Sequence, residues 1–268
     1  MKRRRFLQLA ASAAAAAAVR TTAFASSNHD QEVFLAIRDQ SLGIGDPVRV
    51  QAGERVRFHF VHAGALGDVH LHLPGHSFHV VALDGNPVPT PAAVDVLSFA
   101  RGERIEAIVE MNNPANWTLG SLNDAERVGG LGVRVAYANQ NGPAQWHPPA
   151  AVDWSYARFS AASRSVRPAD QTIEMLLEKR PGSGDRVPHW IVDGQPQHLS
   201  FQPGRRYRLR MMNATDRAYP VHLPHQCFAL TRVNQIPVSG IIKDTIRLER
   251  YNVVEADVLL EHHGLIAR

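Results

Sequence analysis

The heptapeptide His72-Leu73-Pro74-Gly75-His76-Ser77-Phe78 returns 150 positions later as His222-Leu223-Pro224-His225-Gln226-Cys227-Phe228. The flanks return with it. Upstream, Gly53-Glu54-Arg55-Val56-Arg57-Phe58 parallels Gly204-Arg205-Arg206-Tyr207-Arg208-Leu209 at an offset of 151. Downstream, Asp95, Leu97, Phe99, Arg101, Ile105, Glu106, Ala107 and Val109 parallel Asp244, Ile246, Leu248, Arg250, Val254, Glu255, Ala256 and Val258 at 149. Three blocks in one order, with single-residue loop changes between them, mean that one structural unit is present twice. At 268 residues there is room for two units of about 100 residues each.

Short runs of alternating apolar and polar residues, split by turn residues, fill the chain after Ser26. That period belongs to half-buried strands of an antiparallel sandwich or barrel. Val48-Arg49-Val50 and Val56-Arg57-Phe58-His59-Phe60, around Ala52-Gly53-Glu54, read as a hairpin. Further strands are expected at 78–83, 94–99, 104–111, 117–119 and 131–137, with Asp84-Gly85-Asn86-Pro87 as a turn. The expected fold is all-β: two tandem Greek-key β-sandwich or barrel units at 33–138 and 171–268. The Pro-rich, aromatic-dotted stretch 139–170 joins them and lies against them.

The offset places Arg268 opposite Leu119, so the second unit has no counterpart of strand 131–137 within this sequence. An incomplete sandwich leaves an open strand edge. Such an edge invites a partner chain or self-association.

Residues 1–25 read as an export signal: Lys2-Arg3-Arg4-Arg5-Phe6-Leu7, an alanine-rich apolar run, then Ala23-Phe24-Ala25 before Ser26. The paired arginines before Phe-Leu resemble a twin-arginine signal, so a periplasmic or secreted location is expected. The run is too short and alanine-rich for a membrane anchor. Its removal takes five basic residues and no acid, turning the formal charge from +4 to −1. Nucleic-acid binding then has no electrostatic basis. Cys227 is the single cysteine, so no internal disulfide forms.

The chain has 14 histidines. His70 and His72 are two apart, hence on one strand face with Cα atoms about 6.6 Å apart. Imidazoles so placed suit a transition metal, and equally suit a pair of hydrogen-bonded structural histidines. No Ser-His-Asp set, phosphate-cradling loop or carboxylate pair competes, and Gly129-Gly130-Leu131-Gly132 reads as a turn before a strand.

Residues 73–85 and 103–112 resemble the middle cupredoxin domain of bacterial laccase-like multicopper oxidases. Residues 207–210, 219–233 and 240–245 resemble the last such domain of that family. The resemblance implies a cupredoxin fold, copper as cofactor, and one-electron oxidation of phenols or metal ions coupled to reduction of dioxygen. It also implies where ligands stand: the family's His-Pro-x-His-x-His positions hold Tyr219, His222 and Pro224 here. The closing His-Cys-His motif falls past Arg268, and the first domain, with its His-x-His pairs, has no counterpart before residue 33. The family position of Cys227 is not a ligand position, and it is expected as a buried free thiol. The candidate metal residues are therefore His222, His70 and His72. Three readings follow: a copper oxidase, a copper-free cupredoxin scaffold or binding protein, and a fragment of a longer oxidase.

Overall fold

The computed structural model describes residues 30–43, 45–65, 67–162, 168–179, 189–194, 201–202, 204–223 and 226–259. The expected export signal lies outside the described residues. The first half contains β1 (Gln31–Arg38), β2 (Ser41–Leu42), β3 (Val48–Val50), β4 (Arg55–His62), β5 (Val69–His72) and β6 (Phe78–Leu83). Then come β7 (Asn86–Val94), β8 (Val96–Phe99), β9 (Arg104–Glu110), β10 (Asn116–Ser121), the short helix α1 (Asp124–Val128) and β11 (Gly132–Tyr137). They form two sheets, ordered β2-β1-β4-β9-β6-β7 and β3-β11-β10-β5-β8. Alternation drives this: in β4, Val56, Phe58 and Phe60 are buried and the residues between them are not. Phe58, Phe60, Phe78 and Phe99 stack between the sheets with ring centroids 5.6 to 6.0 Å apart. Each such buried ring contributes roughly 1.5–3 kcal/mol.

The second half repeats the larger sheet. It contains β12 (Gln171–Glu178), β13 (His189–Val192), β14 (Arg206–Asn213), β15 (Tyr219–His222), β16 (Phe228–Val233), β17 (Ile236–Pro237), β18 (Ile242–Lys243), β19 (Thr245–Leu248) and β20 (Val253–Leu259). The order β13-β12-β14-β20-β16-β17 matches β2-β1-β4-β9-β6-β7 strand for strand. Even the irregularity is copied: the bulge between Val80 and Ala82 recurs between Leu230 and Arg232. β15 and β19 pair as β5 and β8 do. Among the described residues β15 pairs with β19 alone, whereas β5 also pairs with β10.

Two sequence expectations need correction. Strands 48–50 and 55–62 are not a hairpin: β3 lies in one sheet beside β11, and β4 in the other between β1 and β9. The turn between them is a crossing, closed by Gly53 N–H donating to Met111 O at 2.7 Å. Gly53 takes φ +83° there, a conformation cheap only for glycine. Nor are the sheets wholly antiparallel, because β1–β4, β3–β11 and β12–β14 run parallel. Parallel partners are distant in sequence, and local alternation carries no trace of them.

The segment after β11 lies along the first half. Gln145 N–H donates to Asn116 O at 2.8 Å and Thr118 N–H donates to Gln145 O at 3.0 Å, extending the sheet beyond β10. Tyr156 and Phe159, in a 3-10 turn, are buried.

Candidate functional site

The repeated His-Leu-Pro stretch builds the same elbow twice. In the first, β5 ends at His72, and His76 N–H donates back to Leu73 O at 3.2 Å. Pro74 precedes Gly75, whose φ is +72°, the pattern of a type II turn. A Cβ at Gly75 would lie 2.0 Å from Asn113 Nδ2, so the elbow closes only around glycine. In the second, Gln226 N–H donates to Leu223 O, also at 3.2 Å.

The elbow histidines are held alike. His72 Nδ1 donates to Asp95 O at 2.7 Å, and His222 Nδ1 to Asp244 O at 2.9 Å. A carbonyl only accepts, so in each ring Nδ1 carries a proton, and in His72, which burial keeps neutral, Nε2 presents the lone pair. Their surroundings differ. His72 is 4% exposed, and its Nε2 is buried without a hydrogen-bond partner. His222 is exposed on a strand paired only with β19 among the described residues.

His70, two residues before His72, is hydrogen-bonded through Nδ1 to Ser98 Oγ at 2.8 Å. Among the described residues no three His, Cys, Asp or Glu side chains converge into a metal site, so His70, His72 and His222 do not form one ligand set. Cys227 corrects the expectation of a buried thiol, since it is exposed. Its short strand approach at β16 buries Phe228 instead. Partial burial and the Asp244 and Asp84 charges push the Cys227 thiol up, away from the thiolate form.

His72 opens onto a cleft of about 580 Å³ whose walls include His76, His79, Asp95, Glu110 and His147. His76 is saturated: Nδ1 donates to Pro74 O at 2.9 Å and Nε2 accepts from Tyr137 Oη at 2.6 Å. His147 is delivered by the segment that extends β10. Its ring lies 6.4 Å from that of His72, centroid to centroid, and 5.7 Å edge-on from Trp117. Trp146 lies 5.6 Å from His72 on the same side, fixed by the Arg127 guanidinium 3.9 Å over its ring. Burial holds His72 and His76 below the ordinary histidine value, against the opposing pull of their carbonyl partners. The cleft thus offers one buried neutral imidazole nitrogen with a free lone pair and a second imidazole beside it. Sequence reasoning singled out His72 but missed His147. Its one signal was position: an aromatic pair, Trp146-His147, in a stretch expected to lie against the first unit.

A second cluster was not foreseen at all. Lys243 is fully buried between the halves, with Nζ 2.8 Å from Asp84 Oδ2 and 3.0 Å from Glu103 Oε1. It also lies 4.9 Å over the Tyr156 ring. Tyr156 Oη donates to Glu103 and accepts from Arg247 N–H at 2.9 Å. Asp84 accepts from Arg104 N–H at 2.9 Å, and Glu103 from Ala100 N–H at 2.6 Å. Burial alone would lower the Lys243 ammonium, but the Glu103 and Asp84 charges outweigh it and hold it above the ordinary lysine value. With its oxygens engaged and no opening to solvent, this cluster joins the two halves and presents nothing to a substrate.

Residues 21–143 match the multicopper oxidase family. A laccase of Pestalotiopsis fici is 26% identical over 131 residues, which are 48% of this chain and 22% of that protein. Among solved structures, a bacterial laccase-like multicopper oxidase from Ochrobactrum sp. superimposes with a TM-score of 0.60 at 16% identity, over 85% of this chain and 60% of its own. A multicopper oxidase from Campylobacter jejuni, a metallo-oxidase, gives 0.62 at 12% identity over 89% of this chain and 60% of its own. At these identities the structural matches show the cupredoxin fold. The chain spans less than two thirds of the length of these proteins.

Proposed function

We propose that this chain, whose residues 21–143 match the multicopper oxidase family, serves as an exported cupredoxin-fold binding scaffold whose described residues do not assemble a copper set of that family. The carrying observation is the donor set at the family's ligand positions. Of Tyr219, His222 and Pro224, the last has no side-chain donor and the first is a phenol. His222 stands exposed with no neighbouring ligand trio among the described residues. A mononuclear electron-transfer copper needs a thiolate with two imidazoles. The single thiol, Cys227, is exposed and shifted away from the thiolate form. These residues do not fit the copper set that the family implies. The test is dioxygen uptake by copper-loaded protein with a phenol or cuprous ion as reductant. Uptake no greater than with free copper is expected, and catalytic uptake retained after desalting overturns the reading.

A second reading is an oxidase completed by a further domain or partner chain. It is favoured by the pairing of β15, which has β19 on one side and, among the described residues, nothing where β5 has β10. In that reading the added strand brings the missing donors. The mass of the particle in solution discriminates: a monomer by light scattering at micromolar concentration removes a partner copy from consideration.

A further inference from the structure

We propose that the cleft between the first elbow and the 145–150 segment is a binding site for one divalent first-row transition ion, with His72 Nε2 and the His147 imidazole as its protein ligands. The site lies wholly in the first half and does not rest on the preceding reading, which concerns the second elbow and Cys227.

Four observations carry it. The first is the orphaned nitrogen: His72 is 4% exposed and its Nε2 is buried with no partner, while Nδ1 donates to Asp95 O. A buried lone pair without a donor is a cost that the fold must have reason to bear. The second is the tautomer. A histidine that gives Nδ1–H to a backbone carbonyl is already oriented to offer Nε2 to a metal. The third is the spacing. The His72 and His147 ring centres lie 6.4 Å apart with their planes at 63°, close enough for both imidazoles to reach one ion through metal–nitrogen bonds of about 2.0 Å once the His147 ring turns. His147 is exposed, so its side chain has room to turn toward His72.

The fourth is chemical contrast within the cleft. His76 shares the wall but has both nitrogens engaged, so it positions the elbow and does not ligate. Asp95 and Glu110 on the wall supply carboxylate charge for a divalent cation. Asp95 Oδ1 already accepts from Ser77 Oγ at 2.7 Å, which leaves its second oxygen. Two imidazoles with water completing the shell favour late first-row ions, and by the order of stabilities copper(II) binds tightest.

The experiment is titration of the full-length chain, freed of metal, with copper(II) alone. Three readouts apply: ion retained after desalting, nitrogen hyperfine structure in the electron paramagnetic resonance spectrum, and tryptophan emission. The expected result is one ion per chain with two equivalent imidazole nitrogens, and quenching of emission by the nearby Trp146 and Trp117. His72→Gln, which keeps a polar side chain beside Asp95 O, should abolish retention. His147→Ala, at an exposed position, should weaken binding by about tenfold or more. His222→Ala should change nothing. Absence of a retained ion, binding indifferent to both His72→Gln and His147→Ala, or binding lost in His222→Ala would each overturn the proposal.

Discussion

The Lys243 ammonium and the Asp84 carboxylate meet at 2.8 Å with neither side chain exposed to solvent, one from the second half of the chain and one from the first. Asp84 sits in the two-residue turn between β6 and β7, at φ +50° beside Gly85 at +81°. Lys243 ends β18, opposite Phe228 of β16. Glu103 and Tyr156 close the remaining sides. The two halves are thus joined by a charge cluster as well as by apolar packing.

Removing one member of a buried ion pair leaves the other uncompensated, which costs about 3–5 kcal/mol. Lys243→Met is therefore expected to lower the urea midpoint sharply. A change close to zero would mean that Asp84 and Glu103 find other partners. Because Lys243 is held above the ordinary lysine value of 10.5, its contribution is complete below that value and is lost as pH rises through the higher, folded one.

Acid has a separate effect. His62, His70, His72 and His76 are all held below the ordinary value of 6.5, each chiefly by burial. A group whose pKa is lower in the folded state binds more protons when unfolded. Stability is then complete above 6.5 and falls as pH drops through the lower, folded values. All four residues are in the first half. Urea midpoints measured downward from neutral pH should fall, and substituting the half-buried His70 by Gln should flatten the dependence. A pH-independent midpoint contradicts this.

Gly75→Ala tests the elbow itself. The substitution forces an L residue to φ +72° and drives a Cβ onto the Asn113 side chain. A left-handed conformation alone costs about 1–2 kcal/mol, and the clash adds to it. The expected outcome is a folded but destabilised protein. Gly85→Ala, where a Cβ meets nothing within 4 Å despite φ +81°, should cost less. Equal losses would show that the Asn113 contact relaxes freely.

Much of the fold was legible because a half-buried strand writes its period into the sequence. The runs expected at 78–83, 104–111 and 131–137 appear as β6, β9 and β11 within a residue. The two-fold repeat extends to pairing order and to the bulge at Val80 and Leu230. What was not legible is non-local. β1 against β4 joins residues more than twenty positions apart in parallel, and nothing in either strand announces the other. The misread hairpin at 48–60 has the same cause, since a turn is local but sheet membership is not. Lys243 entered the sequence analysis only within the family-like stretch 240–245, and nothing local in that stretch marks it as buried. Its burial follows from Asp84, 159 positions away. Cys227 was misjudged because cysteine is so often buried, whereas here Phe228 takes the inward place. His72 was found by its spacing. His147, in a stretch without period, was not.

His222→Ala isolates the family position that kept its histidine. The side chain is exposed and its Nδ1 meets Asp244 O at 2.9 Å and, more weakly, Thr245 Oγ1 at 3.3 Å, so a cost of about 1 kcal/mol is expected. Thermal unfolding of this variant beside the parent checks it. A large loss would assign His222 a structural role that its exposure does not suggest.

The decisive quantity is copper per chain, measured by elemental analysis and visible absorption after copper loading and desalting of the folded protein. A scaffold without the relay retains one copper, lost in His72→Gln and weakened in His147→Ala, and shows no intense thiolate-to-copper band. Several coppers per chain together with that band, sensitive to Cys227→Ser or His222→Ala, would contradict the account and restore a working oxidase centre.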